Sequence, residues 1–312
     1  DAKAKYQPGK SYFGSKNYIQ YIVGDLPIVI SAPHGGTLKP STIPDRTWGT
    51  TVYDTYSMEY TLETISYLVK KTGRQPHVII NRLSRIKLDA NRPIGEAAQG
   101  HPIAEKAYKE FHAFIAVAKA SVTASCGKGL YLDHHTNGHS DAWVEMGYRL
   151  SKTDLKQTDK TLNASKYIDK SSLKNLASQP GQSLASLVRG KDSVGNQIQT
   201  TGYKCVPSIK YPDPGSGGYF NGGYNTETHG SKHGGTIDGM QVEAYSKFLG
   251  SSTRTDFANK LGASILHFVQ THYGFKLDNP AWKPPPHGVC TGAKTLKLVK
   301  GKVTVNDTTT GS

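Results

Sequence analysis

The chain has 312 residues and a mass of 33.9 kDa, with 36% hydrophobic and 20% charged residues. That is enough apolar side chain for a sizeable core, and it excludes an intrinsically disordered chain. Mean hydropathy is −0.51, and no apolar run approaches the ~18 residues that a membrane-spanning helix needs.

Lys and Arg number 38 against 24 Asp and Glu, giving a net charge of +14 and a pI near 9.5. Such a surface suits acidic partners or substrates. The basic residues are scattered without a run of five, however, and lack the clustering and interleaved aromatics of a nucleic-acid module.

Short apolar runs that end in Gly, Asn or His read as buried strands at 26–31, 77–81, 129–133 and 240–244. Helical spacing recurs between and after them. The first set is Met58, Leu62, Ile65 and Val69; the second is Ile103, Ala107, Phe111, Phe114 and Ala118; the third is Phe257, Leu261, Ile265 and Phe268. Strands alternating with helices predict an α/β fold with a mixed, mainly parallel sheet flanked by helices. Residues 150–200 are rich in Lys, Ser, Asp and Gln and read as a surface insertion with short helices. Residues 206–239 carry many Gly and Pro and read as a long ordered loop. A Pro-rich coil begins at Asn279, followed by a small β-like extension that holds the densest basic stretch, Lys294 to Lys302. One catalytic domain at 1–275, with its insertion at about 150–200 and a tail at 276–312, is the simplest organisation.

Signs of compartment point to a secreted chain. It begins at Asp1 rather than Met, and Asn163-Ala164-Ser165 and Asn306-Asp307-Thr308 are glycosylation sequons. The three cysteines, Cys126, Cys205 and Cys290, allow one disulfide, with Cys205–Cys290 the preferred pair.

Chemistry gathers at the strand ends, where open α/β sheets bind ligands. The first strand runs into Ser31-Ala32-Pro33-His34-Gly35-Gly36, a histidine on a tight turn that by itself reads equally well as a loop residue. The third ends Asp133-His134-His135-Thr136-Asn137-Gly138-His139. Alternation sends His134 and His135 to opposite faces, so one of them joins a given site. Polar groups ending a buried strand are costly unless paired or coordinated, and a catalytic zinc takes imidazoles and a carboxylate. Glu243 interrupts the apolar run Met240-Gln241-Val242-Glu243-Ala244 and is either a salt-bridge residue or a general base. Asp89-Ala90-Asn91-Arg92, with Arg82 and Arg85 upstream, offers either carboxylate binding or Asp–Arg pairing within a loop.

The order of these segments resembles the N-formylglutamate amidohydrolase family, which is itself similar in fold and site to the zinc carboxypeptidases. The family's Ser-x-Pro-His-x-Gly turn matches Ser31 to Gly36, and its helix-initial Asp matches Asp54. Its Asp-x-Asn-Arg segment matches Asp89 to Arg92, and its Asp-x-His strand end matches Asp133 to His135. Asn221-Gly222-Gly223-Tyr224 and Gln241-Val242-Glu243 complete the series, which spans residues 25–270.

The resemblance implies one zinc ion held by His34, His135 and Asp54, with Asp45 as the competing carboxylate. It implies Glu243 as the base that activates water and passes the proton to the leaving amine. Asn91 and Arg92 would hold a substrate carboxylate, Asp133 would orient a ligand imidazole, and His229 would either line the pocket or face solvent. The expected activity is hydrolysis of an amide or peptide bond next to a carboxylate-bearing group on a small acidic or peptide-like substrate. The alternatives are a carboxypeptidase-like exopeptidase and a non-enzymatic polyanion- or matrix-binding protein on the same fold.

Overall fold

The sheet that organises the molecule has eight strands in the order β1-β2-β4-β3-β5-β8-β6-β7 in the computed structural model, which describes residues 6–283, 296–299 and 302–305. The strands are β1 (Ser11–Phe13), β2 (Ile19–Ile22), β3 (Ile28–Ala32), β4 (His77–Asn81), β5 (Gly129–Asn137), β6 (Val144–Gly147), β7 (Cys205–Val206) and β8 (Ile237–Tyr245). The central four, β4, β3, β5 and β8, run parallel, while β2 joins β4 and β6 joins β8 antiparallel. The α/β fold expected from the alternating pattern is therefore the observed one. Two further strands, β9 (Leu296–Val299) and β10 (Lys302–Val305), pair antiparallel where the β-like extension is expected. The Pro-rich stretch from Pro284, Cys290 and the Asn306 sequon lie outside the described residues. Among the described residues no helix is long and apolar enough to cross a membrane.

Helices α1 (Ser57–Thr72) and α11 (Arg254–Tyr273) pack together over one face of the sheet. The other face is covered by α3 (Pro102–Cys126), with α2 (Ile94–Ala98) beside it and α10 (Tyr224–His229) against β5 and β8. The stripe expected for α11 is buried, and so is that of α3 except for the half-buried Ile103. On α1 the buried stripe is rotated, running through Tyr60, Thr61, Thr64, Ile65, Leu68 and Thr72 and leaving Leu62 outside. Three threonines sit on it without loss because each hydroxyl donates to the carbonyl four residues back: Thr61 to Ser57, Thr64 to Tyr60 and Thr72 to Leu68.

Residues 150–200 do form short helices: α4 (Lys152–Leu155), α5 (Asp159–Leu162), α6 (Ser165–Lys170), α7 (Lys174–Ala177), α8 (Leu184–Arg189) and α9 (Val194–Thr200). They are not a loose excursion, since Leu155, Leu162, Leu173, Leu184, Leu187 and Ile198 are fully buried in the common core. Helices of four to seven residues each bury only a few side chains, so no periodicity accumulates along the segment. The 206–239 loop likewise contains α10. Cys126 and Cys205 are both buried.

Candidate metal centre

The register of the central strands assembles the site. Across β5 and β8, Asp133 lies opposite Gln241 and His135 opposite Glu243, and β6 adds Glu145 opposite Glu243. Side chains alternate along a strand, so Asp133, His135, Gln241, Glu243 and Glu145 share one face. His134 falls on the other face, stacked on Tyr60 of α1 with its Nδ1 3.0 Å from the Thr61 hydroxyl. Its pKa is pushed down to about 3 by burial. The split between the two neighbouring histidines is the one strand geometry demands.

His34 enters from the turn after β3. Gly35 and Gly36 are needed there because the backbone passes too close for a side chain. A Cβ on Gly35 would lie 2.6 Å from the Met58 amide nitrogen, and one on Gly36 would lie 2.3 Å from the Arg82 carbonyl carbon. Asp54 arrives just before α1, its N–H bonded to the His34 carbonyl at 3.2 Å. Tyr56, which precedes the helix, takes a left-handed φ of 60°.

The three donors converge. Asp54 Oδ2 lies 2.9 Å from His135 Nδ1 and 3.3 Å from His34 Nδ1, and the three donor atoms are all within 4.8 Å of one another. Donors on a tetrahedral zinc with ~2.0 Å bonds sit about 3.3 Å apart, so the spacing suits such an ion. Each imidazole is anchored at its far nitrogen by a second carboxylate: His34 Nε2 to Asp89 Oδ1 at 2.6 Å, and His135 Nε2 to Asp133 Oδ2 at 2.7 Å. Such an anchor fixes the tautomer and leaves Nδ1 as the ligand atom. Asp45 is not part of this group: its side chain is 59% exposed and pairs with Lys87.

Electrostatics follow from burial among charges. Burial works against ionisation of Asp54 and Asp89, but the imidazoles beside them, together with Arg85 and Arg92 at Asp89, outweigh it. Both carboxyls are held far below the usual range. For His135 burial disfavours the proton, yet Asp133, Asp54 and Glu243 raise its pKa well above 6.5. Glu243 is pushed well above 4.5, chiefly by burial, with Asp54 and Glu145 adding to the shift and His135 opposing it.

Arg85 spans the centre, donating from Nε to Asp89 at 2.8 Å and from Nη1 to Asp54 at 3.3 Å. Asn91 lies with its amide nitrogen 3.2 Å from His135 Nε2 and its Oδ1 accepting from the Asn225 N–H at 2.8 Å. Arg92 is partly exposed, with Nε turned to Glu96 at 3.2 Å and Nη1 to the Asn91 carbonyl at 2.8 Å. Together with Glu243, Thr50, Thr136 and the 219–223 segment, these groups line a cavity of about 220 Å³. His229 neither lines it nor faces solvent; it is buried under α10 against Tyr131, 2.8 Å from His112 Nδ1.

The sequence names Asp89, Arg85 and Gln241 but not the roles they take here, as brace of His34, bridge between Asp89 and Asp54, and holder of Glu243; the Tyr219–Phe220 wall is not read from it at all. Spacing carried a signal for Asp89, which sits four residues after Arg85 and two before Asn91, where one carboxylate reaches both a guanidinium and a backbone N–H.

No family model matches the chain, and no curated protein matches it. Among solved structures it is similar to N-formylglutamate amidohydrolase from Ralstonia eutropha JMP134, at 12% identity and a TM-score of 0.47, over 82% of this chain and 98% of that one. It is also similar to a gene product of Agrobacterium tumefaciens, at 10% identity and 0.48, over 83% and 99%. A third is the succinylglutamate desuccinylase of Chromobacterium violaceum, at 11% identity and 0.36, over 92% and 75%.

Proposed function

We propose that this chain is a zinc-dependent hydrolase that cleaves an amide bond next to a carboxylate-bearing group. The observation that carries the reading is the convergence of His34 Nδ1, His135 Nδ1 and Asp54 Oδ2, each imidazole braced from behind by its own carboxylate. The donor set fits the ion: two nitrogens and one oxygen leave a fourth position open, as catalytic zinc requires. When bound, zinc supplies Lewis-acid polarisation of a carbonyl and makes a water acidic enough to attack near neutral pH.

The chain's own residues do the rest. Glu243 stands beside His135 with Oε1 held by the Gln241 amide at 2.8 Å, so its carboxylate is aimed rather than free. A divalent cation among the three donors favours its ionised form by Coulomb attraction. In that form it accepts a proton from the attacking water and afterwards delivers it to the leaving amine. Arg85, fixed by two carboxylates at the cavity wall, is the guanidinium that faces the negative charge developing on the substrate oxygen. Asn91 and the remaining edge of Arg92 are placed to take the substrate carboxylate.

Metal analysis and turnover on the same preparation test the proposal. Purified protein is expected to carry one zinc per chain and to hydrolyse N-acylglutamates, with activity lost to a chelator and restored by zinc. A protein that takes up no zinc, or one whose amide hydrolysis is indifferent to its removal, overturns it.

A further inference from the structure

Gln241 stands between the cavity wall and Glu243. It is buried on β8, two residues before Glu243 and on the same face. Its two amide ends are not interchangeable. A backbone N–H can only donate, so the end that lies 2.5 Å from the Gly223 nitrogen is the amide oxygen. The amide nitrogen is thereby turned to Glu243, where it donates to Oε1 at 2.8 Å. Glu243 Oε2 takes no hydrogen bond from the described residues, and the residue lines the cavity.

The Gly223 N–H is held in place without help from Gln241. On one side, Glu145 accepts the Phe220 N–H at 2.6 Å, and the Asn221 carbonyl accepts the Arg149 N–H at 2.6 Å. On the other, the Asn225 N–H donates to Asn91 Oδ1 at 2.8 Å. Gly222 takes a φ of 108°, and a Cβ on Gly223 would lie 2.4 Å from Asn91 Nδ2. Two glycines therefore let a fixed backbone come close enough for its N–H to set the amide of Gln241. Orientation passes from the wall to Gln241 and from Gln241 to Glu243, not the reverse.

We propose that Gln241 is a positioning residue that commits Glu243 Oε1 to its own amide and leaves Oε2 as the oxygen that moves the proton. This rests on the hydrolase reading above. Oε2 takes a proton from the attacking water and gives it to the nitrogen of the leaving amine as the C–N bond breaks. A carboxylate with one oxygen tied keeps one reactive orientation, while an untied one samples several.

The test measures kcat and KM on N-acylglutamates for wild type, Gln241→Leu, Glu243→Gln and the double variant. Gln241→Leu is expected to keep its zinc and its KM and to lose kcat by on the order of 10-fold or more, a part of the 10²–10⁴-fold that a general base contributes. The double variant is expected to be no slower than Glu243→Gln alone, because Gln241 acts through that carboxylate. A raised KM with kcat unchanged would make Gln241 a holder of the wall, and losses that multiply in the double variant would mean that it acts elsewhere. Either result overturns the proposal and leaves the hydrolase reading standing. Amide hydrogen exchange followed by NMR reads the same contacts without turnover. In Gln241→Leu the Gly223 N–H should lose protection while the Phe220 and Asn225 N–H groups keep theirs; protection unchanged at Gly223, or lost at all three, overturns the proposal. A wild type that hydrolyses no N-acylglutamate sinks the hydrolase reading and with it the task given to Oε2, and Gly223 exchange then decides only whether the wall orients Gln241.

Discussion

Replacing Asp89 with Asn separates bracing of a ligand from ligation itself. Asp89 is fully buried and takes three hydrogen bonds: His34 Nε2 at 2.6 Å and the Asn91 N–H at 3.0 Å on Oδ1, and Arg85 Nε at 2.8 Å on Oδ2. Asn keeps an oxygen for the first two but sets an NH₂ against Arg85, donor facing donor. One charge-assisted bond is lost, about 1.5–3 kcal/mol of folding stability. The weaker acceptor no longer holds His34 in the tautomer that frees Nδ1, so zinc affinity should fall about 10–100-fold, or roughly 1.4–2.7 kcal/mol. Competition with a chromogenic chelator reads the affinity, and urea unfolding of the metal-free protein reads the stability. Asp45→Asn, at an exposed carboxylate outside the centre, is the control and should change neither. An Asp89→Asn protein that binds zinc as tightly as wild type would show that His34 is oriented by something else.

Glu243→Gln should keep its zinc and lower turnover by about 10²–10⁴-fold. Because burial raises the Glu243 pKa, its favourable contribution is complete below about 4.5 and lost as pH rises, so the metal-free variant should melt with wild type near pH 4 and above it at pH 8. His135→Asn should abolish zinc binding, whereas His134→Phe should retain it, since His134 lies on the other face, stacked on Tyr60 with its Nδ1 at the Thr61 hydroxyl; zinc loss in both would refute the two-face assignment. Arg92→Lys should reduce kcat/KM on free-acid substrates by on the order of 1.5–3 kcal/mol and leave esterified ones unaffected, and equal losses on both would make Arg92 structural.

Much of this was legible because the sheet writes its alternation into the sequence. Strands 77–81 and the cores of β3, β5 and β8 are apolar runs, and the polar residues that break β5 and β8 are the ones that meet across the register. The extents of β5 and β8 were underestimated for the same reason. The polar run Asp133 to Asn137 reads as the end of a strand, and with its partners in place it continues that strand, buried except at Thr136. The α1 stripe was misplaced by one position because buried threonines conceal their polarity inside the helix. Arg85 and Asp89 read as a loop ion pair, and they are one; nothing in a linear pattern tells that the same carboxylate also reaches His34, whose position in the chain is 55 residues away. Pairings between distant segments leave no period, so they were the part of the site that remained hidden.

Charge balance favours a cation in the centre. Five buried carboxylates, Asp54, Asp89, Asp133, Glu145 and Glu243, gather on this face, and the guanidiniums beside them are Arg85, Arg46 at 4.0 Å from Asp89, and the partly exposed Arg92. Buried negative charge is in excess there, which favours a cation among the donors. Without metal, Asp133, Asp54 and Glu243 keep His135 protonated well above pH 6.5, and burial, with Asp54 and Glu145 adding to it, keeps Glu243 from ionising. Zinc uptake must therefore displace protons, and affinity should rise with pH by about one decade per pH unit for each proton released. The sign agrees for the metal-free fold. A His whose pKa is raised stabilises below its unfolded value near 6.5 and loses that contribution as pH climbs through the folded value, so the metal-free protein weakens just where zinc binds best. Calorimetry in two buffers of different ionisation enthalpy counts the protons released at pH 7. Zinc binding with no proton release, or with affinity constant between pH 6 and 8, would mean that the imidazoles are already neutral and that the carboxylates are balanced by other means.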